Sequence, residues 1–143
     1  MNRTDFQELA ELRFQESKVL LTAGFPEGAY YLAGYAVECA LKACIAKRTR
    51  EYDFPDKKLV EKSYTHDLDK LIDAAGLSDI LKEDIAENDR LEFEWSMVRA
   101  WSEQSRYELF PDEGANRGQI AAMMLSAVES SKGGVLRWIK QHW

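Results

Sequence analysis

The sequence has little of what marks secreted or membrane proteins. Its 143 residues include two cysteines and three prolines. Cys39 and Cys44 lie on one apolar stretch at a spacing where helical side chains diverge, so they predict neither a disulfide nor a metal site. We expect both to be buried as small hydrophobic residues. No apolar run reaches the roughly 20 residues that a membrane helix requires, and the N-terminal residues lack the hydrophobic segment of a secretory signal. These absences favour a cytoplasmic protein.

Positive charge is also scarce. Lys and Arg number 19 against 25 Asp and Glu, which gives a net charge of −6. A protein that coats nucleic acid without sequence preference depends on a summed positive field, so this balance argues against such a protein and leaves room only for a local basic site. With 45% hydrophobic and 31% charged residues, the composition is that of a folded chain. The length fits one domain over residues 1–143.

No segment sustains the alternation of apolar and polar residues that predicts a β-strand. Apolar residues recur at helical spacings, which predicts an all-α fold, an up-and-down bundle of four to five helices. We predict a first helix capped by Thr4, then helices from about Pro26 to about Arg50, from His66 to Ala75, from Asp79 to about Tyr107 with a break near Asn88, and from Asn116 to a kink or end at Gly133-Gly134. Loops are predicted at Glu51–Tyr64, which contains Pro55, and at Phe110–Gly114.

Two charged residues interrupt the most apolar helix. Residues 30–46 read YYLAGYAVECALKACIA, in which Glu38 and Lys42 are the only charged side chains. A helix that is apolar nearly all round is buried on several sides, so its charges need partners. Glu four residues before Lys can form an ion pair. We predict that the pair belongs to a buried polar network with His66 or the Arg99 region.

A second charged pattern lies near the end of the predicted Asp79–Tyr107 helix. Arg99, Glu103 and Arg106 fall at i, i+4 and i+7, which predicts one shared helix face, with Trp95 one turn earlier and Tyr107 adjacent. Guanidinium groups form paired hydrogen bonds with phosphates and stack on bases. These five residues are therefore candidates for binding an anionic ligand or a partner. The alternative is a solvent-exposed Arg-Glu-Arg ladder, which is common on helices.

The remaining residues form no recognisable catalytic or metal-binding pattern. His66 follows Thr65 at a predicted helix start, where it could pack in the loop, lie on the surface or transfer protons. No nucleophile or carboxylate pair stands at catalytic spacing beside it. The glycines form no phosphate-binding loop, and no cluster of His, Cys, Asp and Glu has metal spacing, so we expect no metal and no cofactor. The run Lys47–Arg50 is typical of cations at a helix C-terminus.

Three segments, taken in order, resemble the HEPN family of small helical domains that are linked to nucleotides and RNA. They are YLAGYAVECALKA at residues 31–43, Thr65-His66-Asp67-Leu68, and Arg106-Tyr107 ahead of Pro111. The alanine-rich helix with its Glu and Lys is the most specific of the three, and the match spans most of the chain. The resemblance implies an up-and-down helical bundle, typically dimeric.

Many members of this family are metal-independent endoribonucleases, with an Arg, four to six variable residues and a His, often followed by a polar residue and Tyr. Dimerisation brings two such motifs together in a cleft. The corresponding segment here is Arg99, six residues and Arg106-Tyr107, so Arg stands in place of the His. Arg stays protonated at neutral pH and cannot act as a general base. A literal match runs from Arg137 to His142, but it lies at the chain end, where ends usually fray.

These observations favour a helical protein that binds a nucleotide, RNA or a protein partner without efficient catalysis. The resemblance implies a homodimer, and a minimal nucleotidyltransferase as the partner subunit of a toxin–antitoxin-like pair. Two alternatives stay open: a metal-independent endoribonuclease that uses an altered Arg99/Arg106 site or His66, and a structural helical adaptor. The expected contact residues are Arg99, Glu103, Arg106, Tyr107 and Trp95, and the expected supporting network is Glu38, Lys42 and His66.

Overall fold

Helices make up most of the part of the chain that the structure describes. The computed structural model describes residues 1–49, 53–54, 56–111 and 116–143. These ranges hold eight α-helices, one 3-10 helix and no β-strand beyond an isolated bridge between Ser130 and Gly133. The predicted all-α fold class is confirmed. In chain order the helices are α1 (Arg3–Thr22), α2 (Pro26–Arg48), α3 (Lys57–Ser63), α4 (Leu68–Ala74), α5 (Ser78–Glu87), α6 (Asp89–Val98), the 3-10 helix (Glu103–Tyr107), α7 (Asn116–Val128) and α8 (Val135–Lys140).

Helix α1 begins two residues earlier than predicted, because Asn2 rather than Thr4 is its cap. The Asn2 side chain accepts a hydrogen bond from the Asp5 N–H at 3.1 Å, and the Asp5 carboxylate accepts one from the Asn2 N–H at 2.8 Å. This reciprocal arrangement is a capping box. The pair Thr4 and Gln7 fits the same sequence pattern, so the sequence alone does not choose between the two starts.

Helix α2 is the central helix of the bundle. Helices α1, α4, α7 and α8 and the 3-10 helix all pack against it, and 13 of its 23 residues are buried. Gly24, at φ +88°, makes the turn from α1, and Pro26 occupies the first turn of α2, where its missing N–H costs nothing. Small residues allow close packing: the Trp101 ring lies over Gly34, where a Cβ would overlap it. The predicted end at Arg50 falls outside the described residues.

The segment between α2 and α4 differs from the prediction. Helix α3 occupies part of the expected loop, of which residues 50–52 and Pro55 lie outside the described ranges. Helix α4 starts at Leu68 rather than His66, because the Asp67 side chain caps it by accepting from the Lys70 N–H at 3.2 Å. Thr65 Oγ1 in turn accepts from the Asp67 N–H at 3.1 Å. His66 therefore lies in a turn that its two neighbours hold, not in a helix.

The predicted Asp79–Tyr107 helix is divided twice. Asn88 caps α6 by accepting from the Leu91 N–H at 3.1 Å, so the break expected there is confirmed. The expected continuation to Tyr107 is wrong: α6 ends at Val98, and Ser102 caps the 3-10 helix. Trp101, which is 3% exposed, packs on α2 at Gly34 between these two elements. Burial of this large ring decides where the chain turns.

The C-terminal part agrees with the prediction only in part. Helix α7 begins at Asn116 as predicted, but it ends at Val128, before the predicted end at the glycine pair. Gly133 and Gly134, with φ angles of +146° and +121°, lie in the turn that leads from the isolated Ser130–Gly133 bridge into α8. Of the expected Phe110–Gly114 turn, residues 112–114 fall outside the described ranges.

Two further expectations concern membranes and thiols. None of the described helices is long and apolar enough to cross a membrane. Cys39 and Cys44 are free and buried, as predicted. Burial raises the pKa of each thiol to about 11, so both stay protonated and unreactive at neutral pH.

Candidate functional site

A polar stripe runs along one face of α2. Tyr31, Tyr35, Glu38 and Lys42 fall at i, i+4, i+7 and i+11 and so share a helix face. The Tyr31 ring stacks on the Tyr35 ring, with centroids 6.2 Å apart, and on the Trp101 ring at 6.0 Å. The two tyrosines were not among the predicted site residues, because aromatic residues at helical spacing are equally typical of a core.

Glu38 is the centre of the network predicted for it. Glu38 is only 1% exposed. Its Oε1 atom accepts a hydrogen bond from Lys42 Nζ at 2.8 Å, and Nδ1 of His66 lies 2.9 and 3.0 Å from its two carboxylate oxygens. Packing of α4 against α2 brings the His66 turn onto Glu38. The buried carboxylate thus has a cation on one side and an imidazole on the other, which offsets its desolvation.

The contact with Glu38 sets the orientation of the His66 ring. An ionised carboxylate can only accept hydrogen bonds, so Nδ1 carries the hydrogen that faces Glu38. In the neutral ring Nε2 then holds the lone pair. The His66 side chain is 50% exposed, so the ring is held at one nitrogen and still accessible from solvent. A carboxylate that orients a histidine in this way is a recurrent arrangement in proton transfer.

His66 opens into a cleft of about 480 Å³. One wall is the segment Tyr64–Asp69, and the other is Arg99 with the segment Trp101–Gln104. The Arg99 guanidinium bridges the walls, because its Nη2 donates to Asp69 Oδ2 at 2.8 Å. The Arg99 side chain remains 53% exposed, so it can also reach a ligand in the cleft.

The cleft is mixed in charge rather than uniformly basic. Among the described residues of its lining, Arg99 is the one permanent cation, and Asp67, Asp69 and Glu103 supply carboxylates. Asp69 pairs with Arg99, and Asp67 lies 3.7 Å from Lys70 Nζ. An anion bound here is therefore attracted by Arg99 but repelled by the carboxylates, one of which already pairs with Arg99. The arrangement suits a ligand of low charge.

Glu103 lies between His66 and Arg106. A hydrogen bond with its own backbone N–H holds the pKa of the Glu103 carboxyl below its usual value, and the nearby His66 and Arg106 act in the same direction. Arg106 does not line the cleft. Its side chain is exposed, and its guanidinium carbon lies 5.0 Å from the centre of the Tyr107 ring.

The predicted Arg99–Arg106 face does not form as a helix face. Arg99 is the C-cap of α6, and Arg106 lies in the separate 3-10 helix. Trp95, expected on the same surface, is 6% exposed and belongs to the core, because α6 packs this side against α7 and α8. Of the predicted contact residues, Arg99 and Glu103 line the His66 cleft, and Arg106 and Tyr107 lie beyond Glu103.

The literal Arg137–His142 match is placed differently. Arg137 reaches the Ser131 carbonyl at 3.4 Å, whereas the His142 ring packs on Trp138 with centroids 4.7 Å apart. Burial lowers the pKa of His142. Fraying of the last residues was expected, but they are held in place: the backbone carbonyls of His142 and Trp143 accept hydrogen bonds from Lys47 and Arg3. The site of interest is therefore the His66 cleft.

The sequence comparison agrees with the fold. The family model described as the HEPN domain matches residues 5–132. The chain belongs to the HEPN domain family. No curated protein and no solved structure matches this chain. Membership of the HEPN family associates the protein with nucleotide- or RNA-related function, and the matched range includes the α2 stripe, the His66 turn and the Arg99–Tyr107 segment. No group of three or more His, Cys, Asp or Glu side chains that could hold a metal ion occurs in the part of the chain described above.

Proposed function

We propose that this HEPN protein binds a phosphate group of RNA or of a nucleotide in the cleft between His66 and Arg99, without efficient catalysis by the Arg99–Arg106 segment. The observation that carries the proposal is the cleft itself, in which an accessible guanidinium and an oriented imidazole face the same space. Arg99 can form two parallel hydrogen bonds with a phosphate. Exposed Arg106 and Tyr107 extend the binding surface past Glu103.

Low catalytic activity follows from the chemistry of arginine. A general base must lose a proton near neutral pH, and a guanidinium does not. Arg106 therefore contributes charge and stacking to a ligand but no proton transfer. The three carboxylates in the cleft and the net charge of −6 limit the affinity for polyanions, so binding is expected at low salt and should involve few phosphates.

Charge reversal at the two arginines tests the proposal. Fluorescence anisotropy with a labelled single-stranded RNA at low salt measures the dissociation constant. The variant Arg99→Glu/Arg106→Glu should weaken binding at least about tenfold, equal to about 1.4 kcal/mol. The matched control Lys82→Glu/Lys132→Glu reverses two charges at exposed positions outside the cleft and should bind as the wild type does. The proposal is contradicted if both variants lose RNA affinity equally, or if Arg99→Glu/Arg106→Glu loses none.

A second candidate is metal-independent RNA cleavage by His66, favoured by its contact with buried Glu38. In this reaction Nε2 takes the proton of the ribose 2′-OH, the 2′-oxygen attacks phosphorus, and the bond to the 5′-oxygen breaks. The proton returns to the 5′-oxygen through water, which leaves a cyclic phosphate and a 5′-OH. RNA incubated with a chelator measures this activity. His66→Asn keeps an N–H for Glu38 but cannot transfer the proton, so it should abolish cleavage.

The control for cleavage is Arg137→Ala, since Arg137 is exposed at the literal motif. Removal of α8 is less suitable, because its buried residues Leu136, Trp138 and Ile139 are part of the core. If wild type and His66→Asn cleave equally, the second candidate fails. If the protein neither binds nor cleaves RNA or nucleotides, the structural-adaptor alternative is favoured.

We also propose a homodimer, with a nucleotidyltransferase as a further partner. The support for a dimer is an exposed apolar surface on α6 and α7, where Phe93, Met123 and Ile120 are 57%, 49% and 37% exposed beside a groove of about 430 Å³. Trp95, Trp101 and Trp138 do not contribute to this surface, because they are buried in the protomer core. Co-purification with a nucleotidyltransferase encoded by a neighbouring gene tests the second partner.

A further inference from the structure

A second cleft lies beside the His66–Arg99 cleft. It has a volume of about 370 Å³ and is bordered by the start of α1, the last turns of α2 and the end of α3. Phe6, Ile45 and Ala46 give it apolar walls, and Lys42 lines it as well. Tyr64, which is 83% exposed, borders both clefts. One exposed aromatic ring therefore stands between the two spaces.

The buried carboxylate of Glu38 connects the two clefts. Its Oε1 atom contacts Lys42 Nζ at 2.8 Å, on the second cleft, and His66 Nδ1 at 2.9 Å, on the first. The Lys42 side chain is only 18% exposed. Its ammonium has three N–H donors, and Glu38 takes one of them within the described residues. The others remain available to water or to an acceptor atom of a ligand.

The second cleft has the size and chemistry of a nucleobase site. Small-molecule pockets have volumes of roughly 300–1,000 Å³ and combine apolar walls with a few polar groups, and this cleft meets both criteria. The exposed Tyr64 ring can stack on a base. Lys42 can donate to a ring nitrogen or a carbonyl oxygen. The neighbouring cleft, with Arg99 and three carboxylates, suits one phosphate better than a triphosphate.

We propose that the two clefts form one bipartite site for a nucleoside monophosphate unit, either free or part of an RNA chain. The base lies beside Tyr64 and Lys42, and the phosphate lies beside His66 and Arg99. This inference rests on the proposed function, since it needs the phosphate cleft, and it adds recognition of the base.

Isothermal titration calorimetry at low salt tests the base site with AMP, ribose 5-phosphate, ATP and a short single-stranded oligoadenylate. The wild type should bind AMP at least about tenfold more tightly than ribose 5-phosphate, and ATP no more tightly than AMP. Ala46→Phe fills the second cleft and should lower the AMP affinity to that of ribose 5-phosphate, whose own affinity should not change. The control Ala122→Phe adds the same ring at an exposed position on α7 outside both clefts and should change neither affinity.

If Ala46→Phe does not fold, as judged by thermal melting, Tyr64→Ala replaces it, because an 83% exposed side chain contributes little to the core. Tyr64→Ala should weaken the binding of AMP and leave the affinity for ribose 5-phosphate unchanged. Equal wild-type affinities for AMP and ribose 5-phosphate, or equal losses of both in the variant, overturn the base site and leave the phosphate site standing. If none of the four probes binds, the proposed function fails and the base site fails with it. Tighter binding of the oligoadenylate assigns the site to RNA, and tighter binding of AMP assigns it to a free nucleotide.

Discussion

Glu38→Ala is expected to destabilise the protein severely. The substitution removes a carboxylate that is 1% exposed and that contacts both Lys42 and His66. Removing one partner of a buried ion pair costs about 3–5 kcal/mol, because the remaining charge is left without compensation. The Lys42 side chain is 18% exposed and can reach some water, so we expect the lower end, about 3 kcal/mol. For a chain of this length that corresponds to a decrease in Tm of about 10 °C.

Denaturant titration measures the free energy of unfolding, and a matched control is available. Lys57 and Glu61 form a pair at the same i, i+4 spacing, but with side chains 88% and 65% exposed, so Glu61→Ala should cost less than about 1 kcal/mol. In a double-mutant cycle, the variant with both Glu38→Ala and Lys42→Met should lose less stability than the sum of the losses of the two single variants. Each single change leaves one buried charge without its partner, whereas the double change removes both charges. If Glu38→Ala and Glu61→Ala have the same small effect, the buried-network reasoning is wrong.

Three further predictions concern packing, pH and assembly. Gly34→Ala places a Cβ in the Trp101 ring and should cost about 1–3 kcal/mol in denaturant titration; no loss of stability would show that the Trp101 contact is loose. Burial raises the pKa of the Glu94 carboxyl, so its contribution to stability is complete at low pH and is lost as pH rises through the folded-state pKa. Glu94→Gln should therefore raise Tm at pH 7 but not at pH 3.5, and an equal shift at both values contradicts the assigned cause. Light scattering should report a dimer for the wild type and a monomer for Phe93→Asp; a wild-type monomer at micromolar concentration refutes the homodimer.

Local signals predicted the elements that depend on local hydrogen bonds. Asn88 caps α6 and the glycine pair Gly133-Gly134 precedes α8 where the sequence indicated breaks. The predicted cap of α1, Thr4, was wrong, because Asn2 and Thr4 both fit a capping pattern and Asn2 is the cap in the structure. The end of α6 at Val98 was not predicted, because the residue spacing from Trp95 to Tyr107 is compatible with one continuous helix. The helix ends where Trp101 packs on Gly34 of α2, and the spacing of residues along the sequence does not reveal such a long-range contact.

The site shows the same division between local and long-range information. The sequence by itself determined the helical class, the central apolar helix and the need of Glu38 for a partner, because these follow from periodicity and from the cost of burying a charge. The i, i+4 spacing predicted Lys42 as one partner and left His66 or the Arg99 region open as the other; only the tertiary structure decided that His66, 28 residues away in sequence, contacts Glu38. It also decided that Arg99 faces His66 across a cleft while Trp95 is buried. The physical reason is that side chains of separate helices meet only when those helices pack, and packing is set by the whole core.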